Sequence, residues 1–280
     1  MIKRILVALD SDLDTQTATT CAIEIARRYD AEVNGLTVID RERIESSARG
    51  GGIGSFYYAQ KLRERLTEES RETAQAIMRD FSAAMEGSGV RYGVHSEEGV
   101  PFERIVEDMK YHDLLIMGKD PHFFYAHPDK DTNTVARVVK NTIAATLVVG
   151  PSYDPVKKVL FAYDGSNAAA RTIQEFMHLS PFGIDIEIEI LSIFHRKDEE
   201  EADLLLTLMK EYVLSYGFGS KVTKIDSSSP AQEIIEHANK IGANLLVAGA
   251  HSASAIKRVA FGSTTSRLIE QCPVPLFVDN

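Results

Sequence analysis

Four short landmarks occur in one order in the first half of this 280-residue chain and recur in the same order in the second. An apolar run ending in aspartate, Arg4-Ile5-Leu6-Val7-Ala8-Leu9-Asp10, is matched by Lys158-Val159-Leu160-Phe161-Ala162-Tyr163-Asp164. Pro101, followed by Glu103-Arg104-Ile105-Val106-Glu107, is matched by Pro230 and Gln232-Glu233-Ile234-Ile235-Glu236. Leu114 to Gly118 is matched by Leu245 to Gly249, and Ala145 to Gly150 by Pro273 to Val278. Such ordered matches mark an internal duplication, so one supersecondary plan must serve both copies. The joint, Gly150-Pro151-Ser152-Tyr153-Asp154-Pro155, is a run of breakers. The expected domains are therefore 1–150 and 156–280.

Each copy alternates strand and helix patterns. In the first, strands are expected near 3–9, 32–39, 90–96, 114–118 and 145–149, with helices near 14–29, 57–86, 101–110 and 133–142. In the second, strands are expected near 157–163, 186–194, 220–225, 244–249 and 274–278, with helices near 166–179, 198–216, 230–241 and 263–271. Alternation of this kind implies right-handed crossovers and a parallel sheet covered on both faces. The near-continuous apolar runs Leu114–Met117 and Leu245–Ala248 agree with two-sided burial. The fold class is α/β, as two tandem doubly wound five-stranded parallel-sheet domains of Rossmann-like type. Ligands of such sheets bind outside the carboxyl ends of the strands, where the strand order reverses. Asp164 and Gly249 end the first and fourth strands of their half. If those strands are neighbours, the two residues face one ligand.

Composition narrows the function. Hydrophobic residues make up 44% and charged residues 26%, ordinary for a globular chain with a sizeable core. A net charge of −10 argues against nucleic acid as a partner. No apolar run approaches membrane-span length, and acids follow the short first apolar run at once, which reads as a strand and not a signal peptide. Cys21 and Cys272 are far apart and fit no metal or redox motif, so a reduced, cytoplasmic setting is expected.

The chemistry concentrates at the end of the second half. The strand Leu245–Ala248 ends in Gly249, and after Ser252 the triplet Gly262-Ser263-Thr264 opens a helical pattern. Glycines admit close backbone approach, and a helix start offers unpaired N–H groups and a positive dipole end. With the hydroxyls of Ser263 and Thr264, this makes a phosphate cradle. Neither G-x-x-x-x-G-K-[ST] nor a strand-borne G-x-G-x-x-G is present. The spacing Gly249-x2-Ser252-x9-Gly262-Ser263 instead resembles the G-x2-G-x9-G-[ST] signature of the universal stress protein family, with Ser252 in place of the second glycine.

Both halves resemble domains of that family, which have an adenine nucleotide alpha hydrolase-like fold with ATP lying across the switch point. The resemblance implies ATP, with or without Mg2+, held by Ala162, Asp164, Ile193, Gly249, Ser252, Gly262, Ser263 and Thr264. Asp164 would serve the adenine–ribose side, Ile193 would contact adenine through its backbone, and Lys257-Arg258 could reach a terminal phosphate. In the first half Pro121 replaces the second glycine, Asn133-Thr134 replaces Gly-Ser, and Asp129 and Asp131 lie in the loop. That half is expected not to bind ATP and to act as an intramolecular pseudo-dimer partner; homodimerisation of the whole chain is a further option. The implied function is a nucleotide-dependent stress-response regulator or sensor acting on an unknown protein partner. The alternatives are a nucleotide-free interaction scaffold and a slow ATP-hydrolysing or nucleotidyl-transfer enzyme. For the latter, neither Asp10-Ser11-Asp12 nor Asp164-Gly165-Ser166 matches an H-x-G-H or S-G-G-x-D-S loop.

Other conspicuous residues have plainer readings. Asp10 is expected to cap a helix. His112, His122, His127 and Asp129 invite a metal, but no metal-binding spacing supports one. The acidic run Asp198–Glu201 suits the first turn of a helix. The helix near 57–86 is expected to bury Leu62, Leu66, Ala74, Ile77 and Phe81. The glycine cluster Gly50–Gly54 reads as a flexible loop.

Overall fold

The computed structural model describes residues 1–48, 55–121, 123, 125, 134–195, 199–250 and 263–280, the side chains of Ser55 and Ser263 excepted. The expectations for Gly50–Gly54, His122, His127, Asp129, Asp131, Asn133, Ser252, Lys257, Arg258 and Gly262 fall outside these residues.

The first half contributes β1 (Arg4–Ala8), α1 (Leu13–Tyr29), β2 (Glu32–Asp40), α2 (Arg41–Ser47), α3 (Ser55–Glu86) and β3 (Arg91–Gly99). It continues with α4 (Pro101–Asp108), a 3-10 turn at Met109–Tyr111, β4 (Leu114–Gly118), α5 (Thr134–Asn141) and β5 (Thr146–Val149). The second contributes β6 (Lys158–Ala162), α6 (Asn167–Leu179), β7 (Glu187–Phe194), α7 (Glu199–Ser215) and β8 (Ser220–Asp226). It closes with α8 (Pro230–Ile241), β9 (Leu245–Gly249), α9 (Ser263–Gln271) and β10 (Leu276–Asp279).

Among the described residues, ten strands join one sheet in the order β3-β2-β1-β4-β5-β10-β9-β6-β7-β8. Pairing within each half is parallel, and the halves meet through an antiparallel pairing of their last strands, with Leu276 opposite Val148 and Phe277 opposite Leu147. The order reverses beside β1 and β6, where β4 and β9 lie on the other side from β2 and β7. Because side chains alternate along a strand, each strand feeds two cores. Ile5, Val7, Val159, Phe161, Ile188 and Ile190 point into a layer shared with α1, α3, α6 and α7. Leu6, Ala8, Leu160 and Leu191 point into the opposite layer, shared with α4, α5, α8 and α9.

Several local expectations are corrected. The helix α2 was not legible; Asp40 starts it by accepting a hydrogen bond from the Arg43 N–H at 3.0 Å. Asp10 is not a helix cap: Asp12 occupies the N-cap position of α1, and the Asp10 carboxylate accepts from the Ser11 N–H at 2.7 Å. Leu62 is 37% exposed, whereas Leu66, Ala74, Ile77 and Phe81 are buried as the helical stripe requires. The last strand begins at Leu276, after Pro273 and Pro275, whose rings remove ladder donors. The acidic residues Glu199, Glu200 and Glu201 do lie in the first turn of α7.

Candidate functional site

A cleft of about 200 Å³ opens at the second half's switch point. Its floor is the carboxyl end of three adjacent strands: Ala162 of β6, Leu191 and Ile193 of β7, and Ala248 and Gly249 of β9. Pro230 and Ile234 of α8 form one wall, and Thr264, Thr265 and Leu268 of α9 form another. The mouth carries Tyr163, Asp164 and Ser166. The cleft is therefore apolar at its α8 side and carries Thr264 and Thr265 at its α9 side.

Local structure explains how each group is placed. Proline at the first helical position is preorganised for α8, since its missing N–H has no helical acceptor to lose. Ser166 caps α6 by accepting from the Ala169 N–H at 3.1 Å, and Asp164 accepts from the Ser166 N–H at 3.0 Å. That short turn holds the Asp164 carboxylate at the mouth, exposed to solvent. Burial, and then the negative charge of Asp164, raises the Tyr163 phenol above its ordinary value. It is thus a protonated hydroxyl at neutral pH. Thr265 donates its hydroxyl to the Gly249 carbonyl at 2.8 Å, fastening the first turn of α9 to the end of β9.

Gly249 is required for a reason the motif did not reveal. A Cβ there would lie 2.6 Å from the Ala169 nitrogen and 2.7 Å from the Ala168 carbonyl carbon, both backbone atoms of α6. The glycine lets the start of α6 pack on the strand end. Of the residues expected to bind, Ala162, Asp164, Ile193, Gly249 and Thr264 line this one cleft. Ser263 opens α9 beside it, while Ser252 and Gly262 lie outside the described residues. Tyr163, Leu191, Ile234, Ala248, Thr265 and Leu268 also line it and were not anticipated. Their signal was available in part, because Leu191 and Ile193 share one face of a strand and Ile234 follows Pro230 by about one turn.

The corresponding strand ends of the first half carry different side chains. Strand registers align Leu6 with Leu160 and hence Ala8 with Ala162, Val38 with Ile193 and Met117 with Ala248. Methionine thus replaces the alanine of the floor. Phe123, 3% exposed, is buried in the same apolar cluster as Ala8, Val38, Ile105 and Met117. The Tyr125 hydroxyl donates to the Leu9 carbonyl at 3.3 Å, laying that side chain over the end of β1. Asp14 adds negative charge there: it packs on Gly118 and accepts from the Lys119 N–H at 3.2 Å. Burial raises its carboxyl above the ordinary value.

Comparison with known proteins agrees with this architecture. Residues 1–149 and 189–279 match the universal stress protein family. The chain belongs to that family. The universal stress protein Slr1230 of Synechocystis sp. PCC 6803 is 23% identical over 289 residues, spanning 98% of this chain and 99% of its own length. Universal stress protein MJ0531 of Methanocaldococcus jannaschii is 29% identical over 120 residues, 42% of this chain and 65% of that one. The crystal structure of a universal stress protein from Archaeoglobus fulgidus superposes with a TM-score of 0.65 at 21% identity, covering 99% of this chain and 96% of that chain. That likeness establishes the fold. Among the described residues, no helix is long and apolar enough to cross a membrane.

Proposed function

We propose that the second half, 156–280, is a domain that binds one adenine nucleotide, ATP with or without Mg2+, and that the first half, 1–150, is a domain that binds none. The observation that carries this reading is the cleft's two-ended chemistry. Its apolar end, between Ala162, Leu191, Ile193 and Ile234, suits a flat heterocycle. Its other end presents the start of α9, where unpaired N–H groups and the helix dipole favour phosphate. Asp164, at the mouth, would accept from ribose hydroxyls. The family signature implies that Ser263 and Thr264, with Gly249, Ser252 and Gly262, form the phosphate cradle.

The cleft offers little for catalysis. Its ionisable lining groups among the described residues are Asp164 and Tyr163, and neither is a histidine or lysine base. We read the protein as a cytoplasmic regulator or sensor in a stress response, its nucleotide state recognised by a protein partner, with hydrolysis slow at most. The antiparallel joining of β5 and β10 supports reading the two halves as an intramolecular pair.

The test is direct. The protein is purified without added nucleotide and heat-denatured, and the supernatant is chromatographed for adenine nucleotides. Binding of added Mg-ATP is measured in parallel. An Ala162→Phe variant places a ring in the cleft without touching the opposite core. About one equivalent of nucleotide on the parent and none on folded Ala162→Phe is the expected result. No binding by the parent, or equal binding by both proteins, would overturn the assignment.

A further inference from the structure

The eighth residue of α4 and of α8 reaches back to the sheet in each half, but the two copies use it differently. In the second half it is His237, whose Nε2 lies 2.7 Å from Glu189 Oε1. That carboxylate is 4% exposed and also accepts from Thr223 at 2.7 Å, with Lys221 at 3.7 Å from its other oxygen. The imidazole and the carboxylate of this pair are both buried. In the first half the eighth residue is Asp108, and its partner is His95 on the edge strand β3, Nε2 to Oδ2 at 2.9 Å. Here the imidazole is 43% exposed and the carboxylate 19% exposed.

Glu97 completes this second arrangement. It stands two residues along β3 from His95, so both side chains leave the same face of the strand. One donor atom from each of His95, Glu97 and Asp108 falls within a sphere in which all pairs are at most 4.8 Å apart. The residue nearest in charge, Arg104, contacts Glu97 only loosely, Nη1 to Oε2 at 3.9 Å. His112 lies four residues beyond Asp108. Its Nδ1 donates to the Asp108 carbonyl at 2.8 Å, which leaves Nε2 as the nitrogen with the lone pair. That nitrogen is buried without a hydrogen-bond partner and is not one of the three donor atoms that come together.

We propose that His95, Glu97 and Asp108 form a divalent transition-metal site that clamps α4 to the edge strand β3. The donor set of one imidazole and two carboxylates suits Zn2+ or its neighbours in the first row, and suits Mg2+ poorly because Mg2+ prefers all-oxygen shells. Zn–N and Zn–O bonds of about 2.0–2.2 Å at a tetrahedral angle set ligand atoms roughly 3.4 Å apart. The His95–Asp108 contact, 2.9 Å, therefore opens by about half an ångström when the metal replaces the shared proton, and a donor pair at the 4.8 Å limit closes by about 1.4 Å. The fourth position faces solvent, where the exposed imidazole edge gives the ion entry. The site is on the half opposite the cleft and does not depend on nucleotide.

The experiment uses the full chain, stripped with a chelator, desalted, and titrated with ZnCl2 against a chromophoric competitor. Parent, His95→Ala, Asp108→Asn and Glu97→Gln proteins are compared, with His195→Ala as the control for exposed histidines elsewhere. Circular dichroism confirms folding of each, and Glu97→Gln leaves the His95–Asp108 hydrogen bond in place. One Zn2+ per chain is expected on the parent and on His195→Ala, with at least roughly tenfold weaker binding in the other three. Zn2+ should also raise the parent's thermal midpoint but not that of His95→Ala. No binding by the parent at millimolar Zn2+, or binding undiminished by His95→Ala and Asp108→Asn, would overturn the site.

Discussion

The Thr265 hydroxyl and the Gly249 carbonyl are joined by a hydrogen bond of 2.8 Å. That contact closes the one corner where β9, α6 and α9 meet. It fastens the first turn of α9 to the strand end beside the cleft. Thr265→Val keeps the shape and removes the donor. Loss of this bond should lower stability by about 0.5–1.5 kcal/mol in urea unfolding. Mg-ATP affinity should fall more than stability does, because the helix start is no longer held at its angle. An unchanged affinity would mean that the bond does not align the cradle.

Gly249 carries a sharper constraint. An added Cβ meets backbone nitrogen and carbon of α6 at 2.6 and 2.7 Å, and neither is the end of a flexible side chain that can swing aside. Gly249→Ala should therefore push α6 off the strand end, at a cost of about 1–3 kcal/mol, as for other overpacked sites. Gly217→Ala is not a fair control, since that glycine has a positive φ of 86°. Gly87→Ala is suitable, because nothing lies within 4 Å of its Cβ. Calorimetric midpoints of the two variants should differ, with Gly249→Ala well below the parent and Gly87→Ala near it.

Much of this was legible in the sequence, and the reason is physical. A strand buried on both faces must be a continuous apolar run, so Leu245–Ala248 announced itself; a proline-led helix and a glycine-ended strand are equally plain. Periodicity therefore located all ten strands and the order of nearly all helices. It missed α2, whose seven residues are too few to show a helical stripe. It also missed that Gly249 serves the packing of α6, because packing partners distant in sequence leave no local mark. The same holds for the first half's altered strand ends. Proline and acids in the loop were visible, but the burial of Phe123 and the substitution of Met117 for Ala248 required strand registers. His95 and Asp108 likewise lie 13 residues apart, on a strand and a helix, with no motif spacing to join them.

Beneath the cleft, the buried pair of Glu189 and His237 predicts an acid response. Burial alone would raise the Glu189 carboxyl, but hydrogen bonds from Thr223 and His237 outweigh it, and the folded-state value lies below the ordinary 4.5. A carboxyl lowered on folding contributes stability that is fully present above its unfolded value and is lost as pH falls through the folded one. The network should therefore weaken below about pH 4.5. Glu189→Gln keeps a hydrogen-bond acceptor but does not titrate. The difference in unfolding free energy between pH 7 and pH 3 should be smaller for Glu189→Gln than for the parent. An equal pH dependence would remove Glu189 as a contributor.

Asp279 predicts the opposite sign. It ends β10, is 9% exposed, and burial pushes its carboxyl up to about 6, with only partial relief from the Asn280 backbone and Arg171. A carboxyl raised on folding is held in its disfavoured charged form at neutral pH. Its burden on stability is therefore largest above pH 6 and disappears as pH falls towards the unfolded value of 3.8. Asp279→Asn removes the charge while keeping the size and a polar amide. It should raise unfolding free energy by about 1–3 kcal/mol at pH 7.5, the range that a shift of this size allows. The gain should shrink to nothing by about pH 3, where the parent's aspartate is mostly protonated in both states. Urea unfolding of both proteins across that range decides the matter, because a gain that persists at low pH would come from packing and not from charge.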